Sequence, residues 1–314
     1  MTNDEIINLV KDLTGIATGG LMNAQQLSEF IETTIEMSDF LREVRVESGI
    51  ATQLDLDTLG INSRVLRGIV EGQRAAGAGV NPAKRSLVPT DMILPMEVGF
   101  SYLRKALGGN PSSSSEAGNK VNAAIIRAMQ KQLATDSVDL AWNGDKSLVA
   151  DPFLKLVDGF LVKAAACNTV LKGTFSANDK IKDVLKAMKL KLPSKYKINP
   201  ADLKFYMNPN TEDQYRDELG EKNTTLGDIM IAKNEPAYYK SILCRPLFAV
   251  PENKIMLTIP ANLVLGYGQT FSTETQRQVL LQQLDIAMTT SLDANFVIPE
   301  AVVLFTKEES QVSV

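Results

Sequence analysis

The sequence predicts an α+β protein, and three stretches carry that prediction. Residues 116–141 repeat apolar side chains at three- and four-residue spacing, which over roughly 25 residues makes a helical rod of roughly 38 Å. From 203 onward, short apolar runs separated by Pro and Asn read as strands. Between them and the N-terminus, residues 44–95 read as an extended ribbon. It folds around the small-residue tip Gly72-Gln-Arg-Ala-Ala-Gly-Ala-Gly-Val-Asn-Pro-Ala-Lys-Arg-Ser86.

In chain order, residues 4–13 and 23–40 follow helical spacing, the second through Leu27, Phe30, Ile31, Thr34, Ile35 and Ser38, with 15–20 as the hinge. The ribbon then carries Ile50, Leu54, Leu56 and Leu59 before its tip and Met92-Ile-Leu-Pro-Met-Glu-Val98 after it. A two-stranded ribbon is marginal alone in water, so its apolar residues are expected to pack on another copy of the chain. A Ser-rich turn at 107–115 enters the long helix. Its inward stripe is expected to hold Val121, Ile125, Ala128, Met129, Gln132, Leu133 and Leu140. Asn143-Gly-Asp145 breaks the helix, and Asp151-Pro152 places an N-cap and a first-turn proline for the next. A second lobe opens near 174, with helices expected at 179–190 and 210–219 and strands at 203–207, 241–250 and 254–259. Strands at 262–267, 276–289 and 296–306 end the chain. Leu284-Asp-Ile-Ala-Met-Thr289 alternates as a half-exposed strand does, whereas Val302-Val-Leu-Phe305 is apolar on both faces and therefore central.

Composition narrows the function. The 314 residues are 44% hydrophobic and 22% charged, ordinary for a globular protein, and no stretch approaches the eighteen apolar residues of a membrane span. The opening Met-Thr-Asn-Asp-Glu has no signal-peptide character, so synthesis in the cytoplasm is expected. Cys167 and Cys244 are the two cysteines, too few for a disulfide scaffold or a zinc site. The chain has no histidine, which removes the commonest general base and metal ligand. Net charge is −4. Residues 1–60 hold eleven acidic side chains against Lys11, Arg42 and Arg45, and residues 61–90 hold Arg64, Arg67, Arg74, Lys84 and Arg85 against Glu71. Such complementary patches either steer neighbouring subunits into register or solvate two separate surfaces.

Each catalytic candidate lacks a partner. Ser194-Lys-Tyr-Lys197 has the Ser-x-x-Lys spacing of penicillin-recognising enzymes without their Lys-Thr-Gly element. Gly266-Tyr-Gly268 lacks a third glycine and a following helix, and reads as a strand with close backbone contact. Asp55-Leu-Asp-Thr-Leu-Gly60 opens like a calcium loop, but Leu66 stands where the bidentate glutamate is needed. Asp136, Asp139, Asp145, Asp151 and Asp158 read as caps and solvated helix faces. No catalytic, cofactor or metal residue is expected.

The order of parts, with Gly20-Leu-Met-Asn-Ala-Gln-Gln-Leu-Ser-Glu-Phe-Ile31, Asp139-Leu-Ala-Trp-Asn-Gly-Asp145 running into Asp151-Pro-Phe-Leu-Lys-Leu-Val-Asp-Gly-Phe-Leu161, and Phe296-Val-Ile-Pro-Glu-Ala-Val-Val-Leu-Phe305, resembles the major capsid proteins of tailed bacteriophages. Their fold is the Hong Kong 97 type. The middle segment is similar to the P2-like branch, with Phe160 where that branch carries Trp. The resemblance implies an N-terminal arm (1–48), an extended loop (49–98), a peripheral domain with a spine helix (99–173), an axial domain (174–268) and a return into the peripheral sheet (269–314). It implies a subunit that forms hexamers and pentamers of an icosahedral head around double-stranded DNA, without sequence-specific binding, assembled in the host cytoplasm. A separate scaffolding protein, a portal and a decoration protein are the further partners implied. Leu27, Phe30, Ile31 and Ile35 are then expected to pack on a neighbour, and Arg64, Arg67, Arg74, Lys84 and Arg85 to meet a neighbour's acidic groups. No covalent cross-link through Lys84 is expected. The competing readings are an encapsulin-type nanocompartment shell, a histidine-free two-domain enzyme or binder, and a tail-tube or sheath protein.

Overall fold

A computed structural model describes residues 20–21, 24–61, 80–99, 101, 116–220, 236–269, 272–278 and 280–308. The helix expected at 4–13 and the ribbon tip lie outside them. Two mixed sheets share one long helix. The first sheet is built on β13 (Gln283–Phe296), which pairs antiparallel with β5 (Thr90–Gly99) on one side and with β12 (Ser272–Gln278) and β11 (Leu263–Gly268) on the other. β2 (Arg45–Ile50) joins β11 in parallel, and β1 (Gly20–Leu21) joins β12. The second sheet runs β6 (Leu171–Phe175), β14 (Val303–Lys307), β10 (Lys254–Thr258), β7 (Lys204–Met207), β9 (Ile242–Pro246), β8 (Tyr238–Tyr239).

The long helix, α3 (Glu116–Asn143), follows α1 (Ala24–Glu36) and α2 (Asp39–Glu43) of the arm. It buries Ile125, Met129, Leu133 and Leu140 as its spacing predicts and Val138 in addition, while the side chain of Val121 lies outside the described residues. Ala128 and Gln132, expected on the inward stripe, are exposed. The small residues Ala134, Ser137 and Ala141 take the inner face instead, so the arm and first sheet approach closely. Trp142, fully buried at the helix end, packs against Phe40 of α2 (ring centroids 5.7 Å), Tyr206 of β7 (5.2 Å) and Phe160 (5.6 Å). Four separate segments therefore meet on one indole.

The helix stops at the predicted Asn143-Gly144 corner, where Gly144 N–H donates to Leu140 O and its own carbonyl accepts from Gly159 N–H at 2.8 Å. A Cβ on Gly144 would lie 2.2 Å from the Val157 carbonyl, so only glycine fits. Asp151 accepts from Phe153 and Leu154 N–H at 2.8 and 3.1 Å, but no helix starts at Pro152: a turn leads into a single 3-10 turn at Leu154–Leu156, whose N-cap is Phe153. The following helix, α4 (Phe160–Ala166), begins after Gly159.

The second sheet is apolar on both faces. Tyr206, Met256 and Leu304 face the core beneath α3, while Phe205, Met207, Ile255, Leu257, Val303 and Phe305 face α5 (Ile181–Lys191) and α6 (Pro209–Gly220). A strand covered on both sides must be apolar at every position, which is what Val302-Val-Leu-Phe305 displays. Of the 269–314 segment, β12 and β13 lie in the first sheet and only β14 joins the sheet of the second lobe.

The ribbon reading needs correction. β5 and β2 are strands of the first sheet, and Met92, Leu94, Met96 and Val98 pack on the chain's own core. Their two-residue spacing puts all four on the inner face of a half-buried strand. β3 (Leu54–Ile61) and β4 (Val80–Leu87) form a separate two-stranded sheet, and its buried Leu56 and Leu87 close over Ile50 and Val264.

Candidate functional site

At the base of the β3–β4 hairpin, β13 carries two polar residues inside an apolar run. Leu292, Ala294 and Phe296 are buried, and so are the intervening Asp293 and Asn295. A carboxylate in such a place must be paired. Asp293 is paired from three sides. Lys163 Nζ of α4 donates to Oδ1 at 2.7 Å, Ala294 N–H donates to the same oxygen at 2.8 Å, and Val88 N–H donates to Oδ2 at 2.8 Å. Asn295 Nδ2 donates to the Ser86 carbonyl at 2.9 Å, and its Oδ1 accepts from the Arg85 guanidinium at 3.3 Å. Arg85 lies 4.4 Å from the centroid of the Phe296 ring and 2.9 Å from Cys167 Sγ. The hairpin's exit strand is thus fastened to β13, α4 and the segment after α4.

The two cysteines have opposite chemistry. Burial pushes the Cys167 thiol up, but hydrogen bonds from Thr169 and the charge of Arg85 outweigh it and hold the thiol below its ordinary value. Burial, reinforced by the carboxylate of Glu212, pushes Cys244 up to about 12. Because the thiolate is the nucleophile, brief iodoacetamide treatment at neutral pH is expected to alkylate Cys167 and spare Cys244. Peptide mass mapping reads this directly, and alkylated Cys244 in folded protein would contradict the geometry.

The catalytic candidates resolve into structural roles. Ser194 begins a 3-10 turn in which Lys195 pairs with Glu300 at 2.5 Å, and Lys197 Nζ donates to the Leu190 carbonyl. Gly266 lies in β11, where an added Cβ would meet the side chains of Ile50 at 2.7 Å and Leu87 at 3.1 Å, so it is apolar side chains and not another backbone that approach it closely. Asp55 accepts from Lys84 at 2.7 Å and Gln53 at 2.6 Å, contacts that hold its carboxyl below the usual carboxylate range. Asp145 and Asp158 accept backbone N–H groups of Ser147 and Lys146. Among the described residues no group of three or more Cys, Asp or Glu is placed to hold a metal ion.

No family model matches the sequence. A putative prophage capsid protein of Bacillus subtilis (strain 168), YqbE, is 26% identical over 330 residues, covering 98% of this chain and 99% of the relative. Among solved structures, the procapsid of satellite phage P4 including its size determination (Sid) protein superimposes with a TM-score of 0.68, at 13% identity and 98% coverage of both chains. The chain has a Hong Kong 97-type capsid fold. The capsid of a native GTA particle matches this capsid fold with a TM-score of 0.60, at 12% identity, over 87% of this chain and 91% of that one.

Within the capsid fold, the residues expected to contact neighbours separate. Phe30 and Ile31 are 1% and 3% exposed within the single chain, so they are core residues of α1 against α3. Ile35 packs on the same core. For Phe30 and Ile31 this is a correction, because a side chain buried within one chain has no area left for a neighbour, whereas Ile35 is half-buried and keeps some exposed surface. Lys84 pairs across its own hairpin with Asp55, and Arg85 is committed to Asn295, Cys167 and Phe296. The arm's acidity is also partly used internally, since Glu43 lies 2.8 Å from Lys204 and 3.3 Å from Arg245. The side chain of Leu27, and Arg64, Arg67 and Arg74, lie outside the described residues. Sequence reasoning missed Asp293, Asn295 and Lys163. Leu292-Asp-Ala-Asn-Phe296 alternates as a half-exposed strand does, so nothing in the sequence set Asp293 and Asn295 apart from solvent-facing residues, and Lys163 carried no signal.

Proposed function

We propose that the chain is the major subunit of a viral head, assembling through hexamers and pentamers into an icosahedral shell around double-stranded DNA. The observation that carries this reading is similarity over the whole chain, in sequence to a putative prophage capsid protein and in fold to a procapsid subunit. The role is structural and not enzymatic: polar groups that looked catalytic in sequence act as caps, clamps and strand anchors. A net charge of −4 suits a container that holds DNA without gripping it, because a strongly basic wall would resist packing and release. On this reading the partners are further copies of the chain, a separate scaffolding protein and a portal. Assembly takes place in the host cytoplasm. The encapsulin reading shares the fold but is less favoured, since the relative matching at full length is a prophage protein. Size-exclusion chromatography with light scattering tests the proposal. Ring-sized or megadalton species are expected, and a population that stays monomeric or dimeric at every concentration would refute it.

A further inference from the structure

The second lobe is electrically bipolar along α5. The helix buries Ile181, Val184, Leu185 and Met188, and its eleven residues separate its two ends by roughly 16 Å. At the C-terminal end Lys189 reaches the Lys240 carbonyl at 3.5 Å, and Lys197 Nζ donates to the Leu190 carbonyl at 3.2 Å. Both ammonium groups thus rest on backbone carbonyls, the Lys240 ammonium lies over the Tyr239 ring, and none of the three has a carboxylate partner among the described ion pairs. Their crowding is felt: burial, then the charges of Lys240 and Lys197, hold Lys189 below the ordinary lysine value. Two aliphatic side chains stand among these lysines, Leu190 at 69% exposure and Ile198 at 79%. Exposed aliphatic side chains, each next in sequence to a lysine without a counterion, make a surface that solvent alone serves poorly.

The opposite end has the complementary character. A groove of about 360 Å³ opens beside the N-terminus of α5, and its walls include Asp179, Asp217, Glu218 and Glu252 against Lys180 and Lys307. Glu218 is occupied, accepting from Ile181 and Lys182 N–H at 2.5 and 3.0 Å. Asp217 and Glu252 are exposed at the rim.

Resting on the shell reading above, we infer that the lysine-rich end of α5 on one copy docks at the acidic groove on the next, in a head-to-tail contact. Two different patches on one molecule that complement each other make a heterologous interface, which closes into a ring when the rotation between copies allows it. The charges select the partner and its register, and Leu190 and Ile198 supply the apolar area the contact excludes from water. The occupant is therefore a second copy of the chain, and the competing occupant for a lysine cluster is nucleic-acid phosphate.

Charge reversal in two variants of the full chain separates these. Lys189→Glu with Lys197→Glu makes both patches acidic, and Asp217→Lys with Glu252→Lys makes both basic. Each variant alone is expected to lose ring species in native mass spectrometry, with the concentration needed for assembly rising on the order of tenfold or more. Mixed in equal amounts, they pair alternately, so even-numbered rings return and five-membered rings do not. Circular dichroism and a thermal melt matching the parent exclude misfolding as the cause of the loss. If either folded variant assembles like the parent, or the mixture fails to recover rings, the docking inference is wrong while the shell reading stands. Unchanged assembly with lost binding to a DNA duplex at low salt in the lysine variant would assign the patch to phosphate and overturn the inference. A parent chain that forms no rings at all would overturn both.

Discussion

Trp142→Ala is expected to cost about 4 kcal/mol of folding stability, the range found when a large aromatic is removed from a closed core. The indole is fully buried where α2 of the arm, the end of α3, α4 and β7 converge, and three aromatic rings lie within 6 Å of it, at 5.7, 5.6 and 5.2 Å between centroids. The neighbours belong to separate segments already fixed by the two sheets, so they cannot close around the cavity. Trp142→Phe is expected to lose less than half as much. It keeps an aromatic ring in place, and the indole N–H has no hydrogen-bond acceptor among the described residues. Denaturant titration of both variants reads the difference, and equal losses would mean that ring packing is not what holds this junction.

Asp293→Ala is expected to cost about 3 kcal/mol and to free the base of the hairpin. The carboxylate is 9% exposed, its partner Lys163 is 22% exposed, and removing one member of such a pair leaves the other charge without its counterion. The backbone N–H of Val88 loses its acceptor at the same time. Lys163→Ala should cost a similar amount, and the double variant should cost clearly less than the sum, because both substitutions remove the same interaction. Limited proteolysis distinguishes local from global effects: in Asp293→Ala, cleavage within 80–90 should accelerate more than cleavage within α3. Strictly additive losses, or proteolysis that accelerates evenly along the chain, would contradict an anchoring role.

Much of the fold was legible because its elements are locally consistent. The α3 helix, α5, α6, β7 and β10 match the expected segments and the Asn143-Gly144 stop follows from turn chemistry, whereas the strand expected at 296–306 is split by a 3-10 turn at Pro299–Ala301 into the end of β13 and β14. The β12–β13 hairpin was not legible. It reads as one strand over 276–289, because Leu280 and Leu281 occupy the turn where Gly or Asn would announce one. Gln282 takes the left-handed conformation there (φ 54°), and the two leucines are left 98% and 67% exposed.

The arm was misread for a related reason. Amphipathic spacing at Phe30, Ile31 and Ile35 fixes which face is buried and is silent about what buries it. The structure supplies α3 of the same chain. The same ambiguity sent Met92, Leu94, Met96 and Val98 to a neighbour when their own β13 lay within reach. What a sequence conveys poorly is the partner of an apolar face, and a shell subunit is a protein in which that distinction decides the function.

Among the described residues both lobes close their apolar cores within one chain, and the proposed shell is built through the surface that remains. Negative-stain electron microscopy of the purified full chain, with and without a crowding agent, tests this most directly. Rings of subunits and closed or partly closed polyhedra are the predicted images. Fields of uniform monomers or dimers, or of open-ended rods, would contradict a shell-forming role.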